Sequence, residues 1–145
     1  NNSFDFAFLT SVFTHMLPRD MENYLGEIHR VLRPGGKAFI TFFVLNQEVE
    51  GLISRGKGAF KLQHRRGPCR IEYPHCPEQV VGYEEEYIHK LFRQSGFAQP
   101  LTIHRGMWCG REKGETSHDL VIATKQGEPT KGQIWRRKIA SWMPW

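Results

Sequence analysis

Cysteine is scarce in this sequence, and long apolar runs are missing. The 145 residues contain three cysteines, Cys69, Cys76 and Cys109, an odd number at irregular spacing and without a Cys-x-x-Cys pair. This usage argues against a disulfide scaffold and favours a reducing, cytoplasmic location. No apolar stretch approaches the roughly 18 residues that a membrane-spanning helix needs, so we predict no membrane span. The proportions of 39% hydrophobic and 24% charged residues fit one soluble globular domain.

Two apolar runs flank a helical pattern near the start of the chain. The runs cover residues 4–13 and 38–44 and are rich in Phe, Val and Ile. They are too continuous for half-solvated strands and too short for free-standing helices, which predicts two buried parallel strands. Pro18 suits the first turn of the intervening helix, and Pro34 with the following glycines ends it. The apolar positions of this helix recur at spacings of three and four: Met21, Tyr24, Leu25, Ile28, Val31 and Leu32.

This strand-helix-strand unit resembles a known family. The string FDFAFLTSVFTHM, a helix, and the string RVLRPGGKAFITFF are similar to the fourth strand, following helix and fifth strand of class I S-adenosylmethionine-dependent methyltransferases, particularly those acting on small molecules. Downstream, residues 83–95 resemble the next helix, Gly96-Phe97 the opening of the sixth strand, and residues 119–125 the seventh strand. The resemblance implies an α/β fold: a partial Rossmann-like methyltransferase sheet of strands four to seven, the last strand antiparallel, with flanking helices.

The sequence also departs from the family's pattern. No Gly-x-Gly-x-Gly turn precedes a strand, and no acidic residue closes a second strand where the family holds the cofactor's ribose. We therefore interpret residues 1–126 as the carboxyl-terminal half of a methyltransferase domain. Residues 46–82 are then a substrate-side insertion, and residues 127–145 a basic, Trp-containing tail. The resemblance implies S-adenosylmethionine as the cofactor of the parent protein, and we expect this fragment alone to bind it weakly or not at all.

The resemblance also implies a set of site residues, at the carboxyl ends of the strands where open α/β sheets bind ligands. Methyl transfer requires mainly positioning, with a base only where the acceptor loses a proton. His15 is the candidate base or orienting group, although it is equally well interpreted as a helix cap. The cofactor-binding candidates are Leu9, Thr10, Ser11 and Val12. The candidates for binding the small-molecule acceptor are Phe13, Tyr73, Tyr83, Trp108 and Arg111. We expect no metal site, because the adjacent His75 and Cys76 are awkward ligands for one tetrahedral ion.

Charge patterning leaves two other interpretations open. Between residues 51 and 71 there are six Lys and Arg residues and no acid, which indicates either a solvated surface or a binding module for acidic lipid or nucleic acid. Nucleic-acid binding is the weaker expectation. The chain is alternatively an inactive, oligomerising remnant. Because the strand at residues 4–13 would be an unpaired edge beside a bare sheet face, we also expect self-association through either surface.

Overall fold

The computed structural model describes residues 2–127; apart from Gly127, the predicted tail at 127–145 lies outside the described residues. The described residues form two four-stranded sheets and three α-helices. In chain order the elements are β1 (Phe4–Leu9), α1 (Pro18–Val31), β2 (Leu32–Phe42), β3 (Val44–Leu45), α2 (Gln47–Ser54), β4 (His64–Arg66), β5 (Cys69–Ile71), β6 (Val81–Glu84), α3 (Glu85–Gln94), β7 (Thr102–His104) and β8 (Asp119–Thr124), with a 3-10 turn at Phe13–His15.

The first sheet has the strand order β1-β2-β8-β7. β1 and β2 are parallel, with Leu9 opposite Ile40. β8 is antiparallel to both of its neighbours, β2 and β7. The predicted parallel pair, its connecting helix and the antiparallel last strand are therefore confirmed, and the Rossmann-like α/β class with them.

Helix α1 begins at Pro18, as predicted, and buries Met21, Leu25 and Ile28. Tyr24 was expected on the apolar face, but half of its surface is exposed, because it lies at the edge of the stripe. After the helix, Gly36 brings β2 close to β1. A Cβ at this position would lie 2.9 Å from the carbonyl oxygen of Arg33 and 3.0 Å from that of Asp5, so any larger residue would force the backbone to shift.

Among the described residues, the larger of two core clusters lies on one face of the first sheet, and a smaller one forms around Phe43, Val49 and Trp108. Helices α1 and α3 pack on that face against apolar side chains of β2 and β8, with Ala7 and Leu9 of β1 at the border. The prediction that β1 is buried on both faces is wrong, because no element among residues 2–127 covers its other face. Phe4, Phe6 and Phe8 are 58%, 65% and 62% exposed there.

The predicted insertion at 46–82 folds as α2 and most of a second sheet, of order β3-β6-β5-β4. A single residue, Phe43, separates β2 from β3. The helix expected from residue 83 begins at Glu85, because Tyr83 is still a strand residue opposite Val44. The strand expected to open at Gly96-Phe97 begins only at Thr102, and Phe97 makes just an isolated bridge to β8's end.

Within the described residues, no helix is long and apolar enough to cross a membrane. Residues 2–127 also hold no group of three or more His, Cys, Asp or Glu side chains placed to bind a metal ion. All three cysteines are free thiols: Cys69 and Cys109 are buried, and Cys76 is exposed.

Candidate functional site

The turn that follows β1 lies at the carboxyl edge of the first sheet. Ser11 adopts a positive φ of 55°, and its backbone N–H donates to the Thr41 hydroxyl of β2 at 2.8 Å. Thr10 and Ser11 are exposed, while Leu9 and Val12 are half-buried against the core. The four residues predicted to contact a cofactor therefore form one turn, fixed to the neighbouring strand, with two hydroxyl side chains on its open side.

The 3-10 turn behind it separates a core residue from a surface residue. Phe13 is fully buried, and its ring meets Phe42 edge-on at 5.4 Å between centroids. Thr14 is buried with no hydrogen-bond partner for its hydroxyl among residues 2–127. His15 is exposed, and its Nδ1 lies 3.1 Å from the carbonyl oxygen of Glu78. The predicted base is thus available to a ligand, whereas the side chain of Phe13 is enclosed by protein.

An aromatic pocket opens at the same edge, around Phe43. The centroid of its ring lies 5.2 Å from that of Phe60, 4.9 Å from that of Trp108 and 4.8 Å from that of His118. The cavity has a volume of about 340 Å³. Its lining includes Phe43, Phe60, Met107, Trp108, Ser117 and His118. Of the side chains predicted to bind an acceptor, Trp108 contributes to this pocket.

His118 supplies the pocket's titratable group. Its imidazole stacks on Phe43 with 22° between the ring planes, and its Nδ1 lies 2.9 Å from the Ser117 hydroxyl. Burial lowers the pKa of His118; the negative Asp119 opposes this effect and His15 reinforces it. The neutral imidazole is therefore favoured near neutral pH. Sequence reasoning missed this residue. The available signal was its position just before β8, at the sheet edge where ligands bind.

A buried carboxylate holds the wall of this pocket in place. Asp119 has no exposed surface. Its Oδ2 accepts from the Trp108 indole N–H at 2.6 Å and from the backbone N–H of Val44 at 2.9 Å. Its Oδ1 accepts from the backbone N–H of Gly106 at 2.9 Å and from the guanidinium of Arg111 at 3.3 Å. One side chain of the first sheet thereby fixes the indole, the segment before it and the start of β3.

The other predicted acceptor residues lie away from the pocket lining. Arg111 forms a two-point ion pair with Glu48 at 2.9 and 3.0 Å. This hydrogen bonding lowers the pKa of the Glu48 carboxyl group. Tyr83 is buried and donates its hydroxyl to the carbonyl oxygen of Met16 at 2.7 Å. Tyr73 is 36% exposed on the insertion. These three side chains are not brought together with Trp108 around one cavity.

The residues present fit one side of an S-adenosylmethionine site. The exposed turn at Thr10 and Ser11 offers backbone groups and hydroxyls at the correct edge of the sheet. Within residues 2–127, β1 pairs with β2 alone, so its free edge is where further strands of such a domain would continue. The glycine-rich turn and acidic residue that would hold the remainder of the cofactor are absent from the sequence.

Comparison with known proteins finds similarity to methyltransferases. A family model described as a methyltransferase domain matches residues 1–40. Among solved structures, an S-adenosylmethionine-dependent methyltransferase from Methanosarcina mazei is 19% identical to this chain, with a TM-score of 0.56. The match covers 88% of this chain and 61% of the Methanosarcina protein.

Two further structures are named for particular acceptors. The 1,6-didemethyltoxoflavin-N1-methyltransferase of Burkholderia thailandensis, solved with 1,6-didemethyltoxoflavin and S-adenosylhomocysteine, is 21% identical with a TM-score of 0.52, over 86% of this chain and 45% of that one. Human N-acetylserotonin methyltransferase, solved with S-adenosylmethionine, is 17% identical with a TM-score of 0.53, over 84% and 29%.

These matches confirm the resemblance that the sequence indicated: the described chain has the Rossmann-like fold of the class I S-adenosylmethionine-dependent methyltransferases. The chain spans 61% or less of the length of each of the three solved proteins. At these identities the structural matches define the fold. Activity, acceptor and partners of the whole protein are therefore matters for a proposal.

Proposed function

We propose that the protein containing this chain transfers a methyl group from S-adenosylmethionine to a small-molecule acceptor. The observation that supports this proposal is the aromatic pocket around Phe43, at the carboxyl edge shared with the turn after β1. A surface pocket of roughly 300 Å³ or more has room for one small molecule. Two structural neighbours carry names that specify small-molecule acceptors. We also propose a cytoplasmic location, which is consistent with the free thiols of all three cysteines.

In this proposal the two halves of the edge have different roles. The turn at Thr10 and Ser11 contacts the cofactor, which when bound supplies an electrophilic methyl group. The pocket around Phe43 and Trp108 holds the acceptor against it. His15 lies close enough to His118 to lower the pKa of that imidazole, so His15 is a candidate for orienting the acceptor. Positioning of the two reactants and exclusion of water are the main contributions that such a site makes to the reaction rate.

The direct test is to follow S-adenosylhomocysteine formation by mass spectrometry when the protein is incubated with S-adenosylmethionine and a pool of small aromatic and aliphatic acceptors. We expect formation that depends on an acceptor and is lost when Ser11→Pro distorts the turn after β1. Arg66→Gln, an exposed change on β4, is the matched control. The absence of acceptor-dependent product with every member of the pool would count against the proposal.

The 145-residue chain alone has a separate expected behaviour. Because the turn after β1 contacts only one side of a cofactor, isothermal titration of the chain with S-adenosylmethionine should show weak binding or none. Micromolar affinity would mean that the described residues hold the whole cofactor, which contradicts our interpretation of the edge strand.

A further inference from the structure

We propose that the pocket around Phe43 binds a flat, uncharged aromatic acceptor that carries an O–H or N–H group, and that His118 accepts the proton of that group. This inference rests on the proposed methyl transfer and specifies its substrate class. It assigns a chemical role to His118, a residue that the sequence pattern alone did not single out.

The shape of the lining favours a planar ligand. Phe43 and Trp108 pack against each other with their ring planes at 50°, and they are only 4% and 7% exposed. The aromatic surface that borders the cavity therefore comes mainly from the half-buried rings of Phe60 and His118. Aromatic rings prefer offset-stacked or edge-to-face partners at about 4.5 to 7 Å between centroids. The exposed Met107 borders the same cavity, and its thioether also makes favourable contacts with rings.

The polarity of the lining argues against a charged ligand. Apart from His118, no ionisable side chain is found among the described residues that line the cavity. A phosphate or carboxylate would enter without a fixed cation to pair with it, at a high cost in desolvation. The nearby cation of Arg111 is already occupied by Glu48 and Asp119. An uncharged aromatic ligand is therefore the class of ligand that this lining binds at the lowest desolvation cost.

His118 is arranged to receive a proton. Its Nδ1 is within hydrogen-bonding distance of the Ser117 hydroxyl, and the structure shows no partner for Nε2 among residues 2–127. In the tautomer whose Nδ1–H donates to the Ser117 hydroxyl, Nε2 carries the lone pair, and our proposal takes this tautomer as the reactive one. The charged groups that act on this ring are Asp119 of β8 and His15 of the 3-10 turn. Asp119 is held by four donors and opposes the loss of positive charge, so it stabilises the imidazolium once it forms.

The step balances as follows. The acceptor's oxygen or nitrogen forms a bond to the methyl carbon, and the sulfur–methyl bond of S-adenosylmethionine breaks with its electron pair retained on sulfur. The proton of the acceptor passes to Nε2 of His118 and leaves to solvent after the product departs. The products are the methylated aromatic compound and S-adenosylhomocysteine, and no oxidant or metal is consumed.

The test measures binding by the 145-residue chain, independently of methyl transfer. The probes are para-nitrophenol, used in a mildly acidic buffer that keeps it neutral, its methyl ether para-nitroanisole, and cyclohexanol, a non-planar alcohol. The readout is the shift of the Trp108 indole N–H resonance in NMR, assigned by its loss in Trp108→Phe. We expect para-nitrophenol to bind roughly fivefold more tightly than para-nitroanisole, the difference that one net hydrogen bond makes. Cyclohexanol should bind more weakly than either aromatic probe.

The variant His118→Phe separates the two parts of the proposal, because it keeps a ring against Phe43 and removes the acceptor nitrogen. In this variant the preference for para-nitrophenol over its ether should disappear, while both aromatic probes still bind. His64→Phe, on the exposed strand β4, is the matched control and should leave the preference unchanged. Phe60→Leu, at a half-buried position, should weaken both aromatic probes and leave cyclohexanol unaffected.

Equal binding of cyclohexanol and para-nitrophenol, or no binding of any probe, would overturn the aromatic assignment. A preference that survives His118→Phe would overturn the role of His118. The proposed methyl transfer fails by a different result, the absence of S-adenosylhomocysteine formation with every acceptor. Product formation from aliphatic acceptors alone would leave the methyl transfer standing and refute the present inference.

Discussion

Replacing Asp119 with Asn should strongly destabilise the protein, although the two side chains have nearly the same size. The carboxylate is fully buried and accepts four hydrogen bonds. Asn has nearly the same size but offers one carbonyl oxygen, and its NH₂ group must face two of the four donors. Whichever way the amide is turned, either the Trp108 and Val44 pair of donors or the Gly106 and Arg111 pair is left without an acceptor.

The magnitude follows from these orphaned donors. A buried donor left unsatisfied costs about 1–3 kcal/mol, and removing one partner of a buried ion pair costs about 3–5 kcal/mol. Arg111 keeps its pairing with Glu48, which offsets part of the second cost. We therefore expect Asp119→Asn to lower the free energy of unfolding by about 4 kcal/mol, a large share of the roughly 5–15 kcal/mol typical of a domain.

Equilibrium unfolding in urea, followed by circular dichroism, measures this difference. The matched control is Glu48→Gln, which alters the other partner of Arg111 at a side chain that is 56% exposed and should cost less than about 1 kcal/mol. A cost for Asp119→Asn below about 1 kcal/mol, or equal to that of the control, would refute the view that this carboxylate fixes the pocket wall.

Three further predictions concern the opposite end of the sheet, the titration of a half-buried histidine and the bare sheet face. Lys125→Met should lower the free energy of unfolding by about 3 kcal/mol, because the ammonium group donates to three oxygens at 2.6 to 2.8 Å. The control Lys90→Met, at an exposed position, should change the free energy of unfolding by no more than about 0.5 kcal/mol. Equal costs for the two variants would contradict this reasoning. Burial lowers the pKa of His29, and the charge of Lys125 lowers it further. The unfolded chain therefore binds a proton at His29 more readily than the folded protein does. The contribution of His29 to the free energy of unfolding is complete above about pH 6.5 and is lost progressively below it. His29→Gln should make unfolding less pH-dependent between about pH 6.5 and 5, and an unchanged slope would contradict the assignment. The wild-type chain should self-associate through the exposed face of β1, as measured by analytical ultracentrifugation. The double variant Phe6→Thr, Phe8→Thr should associate more weakly. A monodisperse wild-type monomer at high concentration would refute the expected self-association.

The fold could be predicted from the sequence wherever the signal was local. The period of Met21, Leu25 and Ile28 marked α1, and the apolar run at 38–44 marked the second half of β2 and the start of β3, since each pattern directly reflects the face that is buried. The burial of β1 was predicted wrongly for the same reason. The apolar pattern of Phe4–Leu9 indicates only a surface that needs covering; the expectation of a bare sheet face came instead from the missing first half of the family's pattern.

The candidate site was harder to predict, because its parts come from four separate segments. Phe43, Phe60, Trp108 and His118 lie far apart along the chain, and only the second sheet and the segment before β8 bring their rings together. No spacing rule links such positions. Trp108 was identified from its place between two predicted strands, and His15 from the resemblance. The roles assigned to both residues stay predictions.

The single residue between β2 and β3 has a mechanical consequence. Phe43 is both the joint where the chain passes from one sheet into the other and the ring on which the pocket is built. A small tilt of one sheet against the other would therefore move this ring relative to Phe60, Trp108 and His118, and would change the width of the pocket. Because the joint is Phe43 itself, a substitution there would change the connection between the sheets and the lining of the pocket together.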